Sequence, residues 1–440
     1  MREKQTLYFD EKPLRQEFQH VCRYFDITKR SIPAPYFPPQ QLMSSENALL
    51  DSIEDIDNTR GLSLYIHIPF CDGKCTFCDL YCFHVPRNKR DIIDRYIRVL
   101  LKEIQFWNHL FDWKQKPVTT IHFGGGSPLI IPKEGFEKVL EVLHQNFNVS
   151  SETEIAVEIT TSQISQENIS LFQRLHIHRI HIGIQTLVDD IRKIIGRRET
   201  SNKVHTKLQE ILSHNFILSV DMLYGLPTQT MESFKGDLYE LMDCGVDGFA
   251  LYELNIPPAF DRIISKNPSY QIDKMLNYQM AMTGKSILNK AGYLNVFFNH
   301  YGNDRDKNLY FTFPMRGEDC LAFGTIADAK LGKVAFRHKK LKKYMDSINS
   351  DESGIDWSYI EDERRMVIGQ LETDLMSTCI SVQHLERMID TFGHSFKGIF
   401  DMWHAAQLII PSSEQGEYQL TGSGCWLLST MLDQLRRLGR

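Results

Sequence analysis

Leu64-Tyr65-Ile66-His67-Ile68-Pro69-Phe70-Cys71-Asp72-Gly73-Lys74-Cys75-Thr76-Phe77-Cys78 joins two unlike pieces. The first is a short apolar and β-branched run, which reads as a strand. The second is a loop with three cysteines, Cys71, Cys75 and Cys78. A strand that runs into a loop of thiols puts metal-binding groups at one end of a sheet.

The same rhythm continues outward. Strand-like runs are expected over residues 62–69, 118–123, 154–159, 178–184, 217–223 and 248–254. Helix-like stretches lie between them, at 91–111, 133–146, 166–175, 203–215 and 231–244. Strands alternating with amphipathic helices indicate βαβ units and a parallel sheet. Six units in sequence, coiled one way by the crossover rule, predict an α/β fold with a partial (βα)6 barrel. Polar residues cluster after the strands: the cysteine loop, then GGGSP at 124–128, then Glu158, Gln185, Asp221 and Tyr252. In such barrels the site lies at the C-terminal ends of the strands, so these residues are expected to share one site.

The flanks differ. Residues 1–60 hold a proline-rich stretch, SIPAPYFPPQQ, and an acidic one, DSIEDIDN, and read as an N-terminal arm. The barrel and its extension are expected over 61–345. A small helical or winged-helix-like domain is expected over 346–440, with helices at 356–377 and 382–392 and a terminal strand, turn and helix. The basic run Arg337–Lys343 reads as a solvated helix start, or as a contact for an anionic substrate.

Composition narrows the class. The 440 residues are 42% hydrophobic and 24% charged, which is ordinary globular usage. Fifty Lys and Arg against 56 Asp and Glu give a net charge of −6, which argues against wrapping nucleic acid. No apolar run reaches the ~18 residues of a membrane span, and the charged N-terminus lacks a signal-peptide core. A cytoplasmic, monomeric protein is expected. Nine cysteines suit that compartment as thiols or metal ligands.

The cysteines are uneven: four fall between Cys71 and Cys82, and five are solitary. Structural zinc commonly pairs two distant C-x2-C knuckles, and no second pair exists here. Three thiolates suit three irons of a [4Fe–4S] cluster, where electron-transfer clusters have four cysteine ligands. The fourth iron is then open to a small molecule. His67 and His122, inside strand runs, read as hydrogen-bonded core histidines.

C-x3-C-x2-C with Phe77 before the last cysteine resembles the radical S-adenosylmethionine (SAM) superfamily. The longer string LYIHIPFCDGKCTFC resembles the branch of the oxygen-independent coproporphyrinogen III oxidases. That branch also includes haem chaperones, anaerobic haem-degrading methyltransferases and class C methyltransferases. The resemblance implies that Cys71, Cys75 and Cys78 ligate the cluster, whose open iron takes the amino and carboxylate groups of SAM. It implies reductive cleavage to a 5′-deoxyadenosyl radical, fed by an electron donor such as flavodoxin or ferredoxin. Tyr65, Gly125, Gly126, Ser127 and Glu158 match positions around this first SAM. Phe77, Gln185, Arg197 and Asp221 match positions around a second. Asp328, in GTIADAKLG, is implied to face the substrate.

Within the branch, the oxidases carry a cysteine two residues after the third ligand. Leu80 stands there, with Cys82 two residues further on. The chaperones' HN-x2-YW-like string is matched only by Asn308 and Tyr310. NHYGNDRDKNLYF and RGEDCLAFG most resemble the methyl-transferring and haem-degrading members. The implied activity is methyl or methylene transfer from one SAM to an sp² carbon of an aromatic or tetrapyrrole substrate. Oxidative decarboxylation and non-catalytic haem carriage are the alternatives.

Overall fold

The computed structural model describes residues 11–27, 56–73, 75–86, 90–266, 270–412 and 417–439. The proline-rich stretch expected in the arm lies outside them.

Six strands appear at the expected places: β1 (Leu62–Ile68), β2 (Val118–Gly125), β3 (Glu154–Ile159), β4 (Arg179–Gln185), β5 (Ile217–Tyr224) and β6 (Gly248–Glu253). All five neighbouring pairs are parallel and follow chain order. Alternation decides their faces. Leu62, Leu64, Ile66 and Ile68 of β1 are fully buried against the helical layer. Tyr65 and His67 point the other way, towards the barrel interior with His122 and Glu158. Helix Asp91–Leu110 covers β1 with a buried stripe, Ile93, Tyr96, Ile97, Leu100, Ile104 and Trp107, at helical spacing. Each such side chain contributes about 1.5–3 kcal/mol by leaving water.

The sheet extends beyond the six strands. β7 (Leu294–Phe297) and β8 (His300–Gly302) follow β6 antiparallel. β9 (Asp319–Phe323) adds to the free edge of β1 in parallel, and β10 (Asp328–Leu331), β11 (Val334–His338) and β12 (Ile355–Ile360) follow antiparallel. The full order is β12-β11-β10-β9-β1-β2-β3-β4-β5-β6-β8-β7.

Two expectations are corrected here. Residues 355–360 form a strand rather than the start of a helix, because Trp357 and Tyr359 alternate onto one face and stack at 5.8 Å. The helix begins only at Glu363, where the Asp362 carboxylate caps it. The sheet therefore passes residue 345, the boundary drawn from sequence. The basic run is also divided: Arg337 and His338 close β11, and helix Leu341–Asn349 follows.

A second core lies in the C-terminal segment, around Leu371, Leu375, Met388, Trp403, Trp426 and Leu432. A three-stranded antiparallel sheet, Cys379–Ser381, Glu417–Leu420 and Ile409–Pro411, sits among its helices. Helix Glu11–Val21, from the expected arm, packs into this core. Phe18 meets Tyr278 at 5.5 Å and Trp426 at 5.9 Å, and His20 Nε2 lies 2.9 Å from the Ala405 carbonyl oxygen. Among the described residues no helix is long and apolar enough to cross a membrane.

Candidate active site

The cysteine loop leaves β1 and is tied back to it. Phe70–Cys71 pairs in parallel with Phe83–His84, and Val85 N donates to the Cys71 carbonyl oxygen at 3.1 Å. Cys71, Cys75, Cys78 and Cys82 are all partly buried. Burial raises the pKa of the Cys75 thiol, and Arg197 nearby works against it. The Cys82 thiol is hydrogen-bonded to both Cys71 and Cys78, and the Cys71 contact above all pushes it up to about 11. Cys82, displaced in sequence, is thus a spatial neighbour of two expected ligands. Among the described residues no three Cys, His, Asp or Glu converge on one ion. A cluster does not ask for that, since each thiolate binds a separate iron of it.

GGGSP packs directly under this loop. A Cβ on Gly126 would lie 2.5 Å from the Phe70 carbonyl oxygen and 3.0 Å from Cys71 Sγ. Gly125 has φ +109°, a region that suits glycine. The N–H groups of Gly125, Gly126 and Ser127 are spent on Glu158, Ile68 and Phe70. The Ser127 hydroxyl turns to Gln163 at 2.9 Å. These amides are therefore unavailable to an anion.

Glu158 joins the loop to an aromatic stack. Its Oε1 lies 2.9 Å from His122 Nε2, and its Oε2 accepts from Gly125 N at 3.3 Å. Burial alone would raise its pKa, but the His122 contact and the backbone bond hold it below the usual value. The Tyr310 ring stacks on His122 at 4.2 Å and on Tyr65 at 5.2 Å. Tyr65 OH lies 3.0 Å from His67 Nδ1. Burial lowers the His67 pKa to about 4, so its imidazole is neutral at pH 7.

Phe77, Gln185 and Arg197 form a second group. The Arg197 guanidinium lies over the Phe77 ring at 5.7 Å. It also flanks Gly183, where a Cβ would be 2.9 Å from Arg197 Nη2 and 2.9 Å from Gln185 Nε2. Arg197 Nε is buried and has no hydrogen-bond partner among the described residues. Gln185 has φ +74° at a register shift ending β4. A non-glycine residue held there is a local cost that recurs at functional sites. Asp221 pairs in register with Gly183 and lies 2.7 Å from His181 Nε2. Burial would lower the His181 pKa, but that carboxylate more than offsets it and the pKa rises.

Asp328 stands apart from both groups. Its carboxylate takes a two-point contact from Arg337, at 2.6 and 2.7 Å. It lines a cavity of about 1600 Å³ along the inner face of β1 and β9–β12, under the C-terminal helices. Tyr65, His67, Tyr252, His300 and Tyr310 also line it. The cysteines, Gln185, Arg197 and Asp221 are not in its wall. Tyr252 links the regions: it lines the cavity, and its pKa, raised mainly by burial, is raised further by the charges of Asp221 and Glu158.

Sequence reasoning passed over His181 and His300. His300 is neutral, its pKa lowered by burial to about 3, and it is held by Tyr252 OH at 3.0 Å and Asn308 Nδ2 at 2.9 Å. His181 carried a readable signal, because it shares strand parity with Arg179 and Gly183, facing the interior.

A family model described as the radical SAM superfamily matches residues 65–239. The chain carries a radical SAM domain. The anaerobilin synthase of Escherichia coli O157:H7 is 25% identical to it over 303 residues, 68% of this chain and 67% of that protein. The oxygen-independent coproporphyrinogen III oxidase of Synechocystis is 26% identical over 346 residues, 74% of this chain and 72% of that protein. The solved coproporphyrinogen III oxidase HemN of Escherichia coli superposes with a TM-score of 0.80 at 20% identity, covering 95% of this chain and 98% of that one. The fold is thus that of the oxidase branch. A radical SAM domain works with a [4Fe–4S] cluster and SAM. The donor set here suits them: neighbouring thiols for iron, a glycine cradle beneath Cys71, and a buried guanidinium N–H in want of an acceptor.

Proposed function

We propose that this radical SAM enzyme transfers a methyl-derived carbon from a second SAM to an sp² carbon of an aromatic or tetrapyrrole substrate. Arg197 carries the reading. Its Nε is buried without a partner beside Gln185, Phe77 and the cysteine loop. A carboxylate is the group that a guanidinium binds best, and the SAM amino-acid end supplies one. Asp221, fixed by His181, is the acceptor for donors on that molecule.

In this reading Cys71, Cys75 and Cys78 hold the cluster, while Tyr65, Glu158 and the Gly125–Ser127 loop surround the first SAM. The cluster and SAM together supply radical chemistry, started by one electron from a separate donor. Glu158, kept ionised, accepts hydrogen bonds from that SAM. Tyr65, Tyr252, Tyr310 and Phe311 offer apolar faces to a planar substrate, and aromatic rings favour such stacking. Asp328 is held by Arg337 at the cavity wall. The name of the Synechocystis relative favours a second reading, porphyrinogen decarboxylation, at the same site.

Methyl-deuterated SAM separates the two. Reconstituted enzyme turned over with haem or coproporphyrinogen III should release 5′-deoxyadenosine containing deuterium, with the remaining label in the product. Unlabelled 5′-deoxyadenosine during productive turnover would return the assignment to hydrogen abstraction from substrate. Haem bound without either product would favour carriage.

A further inference from the structure

Helix Leu341–Asn349 begins against electrostatic sense. Lys340 is its N-cap residue and makes no side-chain cap bond, Lys342 and Lys343 are in its first turn, and no acidic residue stands there. A helix N-terminus carries partial positive charge, so a cation there is unfavourable. All three lysines are exposed, and among the described residues none has a carboxylate partner within ion-pair distance. The chain as a whole is net acidic, at −6 with these lysines included. A locally unfavourable basic cluster on an acidic protein calls for a partner outside the fold.

The cluster abuts the cysteine loop. Leu341 N donates to Tyr81 OH at 3.1 Å, and the Tyr81 ring meets Phe83 edge-on at 5.0 Å. Phe83 is 38% exposed, a large apolar side chain on the surface, while Leu80 beside it is exposed at the rim of the cavity that Asp328 lines. Behind them Phe83–His84 pairs with Phe70–Cys71, one strand spacing away, about 4.8 Å. Asp79, next to Leu80, is hydrogen-bonded to Asn255, and Asp346, one turn along the helix, makes no ion pair with Lys342 or Lys343 among the described residues. The surface is therefore apolar at its centre and basic at its rim, over backbone that leads to Cys71.

We propose that Phe83, Lys340, Lys342 and Lys343 form the docking face for an acidic one-electron carrier protein that reduces the cluster. The carrier loses one electron and the cluster gains it. Charge complementarity brings the carrier to the rim and sets its orientation, and contact at Phe83 shortens the electron's route to Cys71. The proposal rests on Cys71, Cys75 and Cys78 being the cluster ligands.

The test uses full-length, cluster-loaded protein and a purified acidic flavodoxin as probe. Binding should weaken as salt rises. The triple variant Lys340→Glu, Lys342→Glu, Lys343→Glu should bind at least about tenfold more weakly and lose that salt dependence. Phe83→Ser should weaken binding and leave the salt dependence intact. Iron content and reduction of the cluster by dithionite should match wild type in both variants, which shows that they fold and keep the cofactor. Unchanged flavodoxin affinity in both would overturn the docking face while leaving the cluster assignment standing. A wild-type chain that takes up no iron–sulfur cluster would remove the ligand assignment and the docking face together.

Discussion

Cys75→Ala should abolish iron–sulfur incorporation and all SAM cleavage together, a loss to background in both. Cys82→Ala should retain both. The contrast is sharp because the two thiols share one pocket. Cys82 is hydrogen-bonded to Cys71 and Cys78, so proximity alone does not separate a ligand from a neighbour. What separates them is the chemistry. A site that must bind SAM through iron requires one iron free of protein, and a fourth cysteine ligand would occupy it. Iron and sulfide analysis after anaerobic reconstitution, with 5′-deoxyadenosine measured in parallel, reads both quantities. Loss of the cluster in Cys82→Ala would move the ligand set to include that residue.

Arg197→Ala should reduce methyl transfer by about 10²-fold or more, since an ångström of misplacement can cost that much. Uncoupled cleavage of the first SAM should fall far less. The guanidinium sits between Phe77, Gln185 and the loop bearing Cys75, where it can position a molecule without touching the cluster. Arg197→Lys should recover little, because an ammonium lacks the planar fork that meets a carboxylate at two points. Isotope-labelled SAM, followed into product and into 5′-deoxyadenosine, gives the two rates in one assay. Equal loss of both would make Arg197 part of the machinery of the first SAM.

The barrel was legible because its strands are long, apolar on the outer face and separated by amphipathic helices. The polar inner face was legible in part. Tyr65 and His67 alternate with fully buried Leu64, Ile66 and Ile68, and a parity count along β4 would have marked His181. Gln185 keeps the count of His181 and Gly183, but it sits at a register shift with left-handed backbone, and that backbone no periodicity predicts. β7–β12 were missed for another reason. They are three to six residues long, and strands that short acquire their identity from the neighbour they pair with. Asp328 was expected to face the substrate. Its Arg337 partner lies nine residues on, across a hairpin pairing, so it belongs to the cavity wall. Cys82 looked remote by counting, yet the return of the loop beside Phe70–Cys71 brings it home.

Helix Glu11–Val21 has a consequence for how the chain is made. His20 contacts Ala405, 385 residues later, and Phe18 rests on Trp426. At about 5–20 residues per second, a ribosome needs roughly 20–80 s to cover that span. Until the helix bearing Tyr278 follows, this helix has no partner, and until Trp426 follows it has only part of one, so its apolar face must be shielded or remain exposed. Ribosome-bound chains stalled before Ala405 should therefore lose this segment to protease while the barrel resists, and the same segment should become protected once Trp426 has emerged.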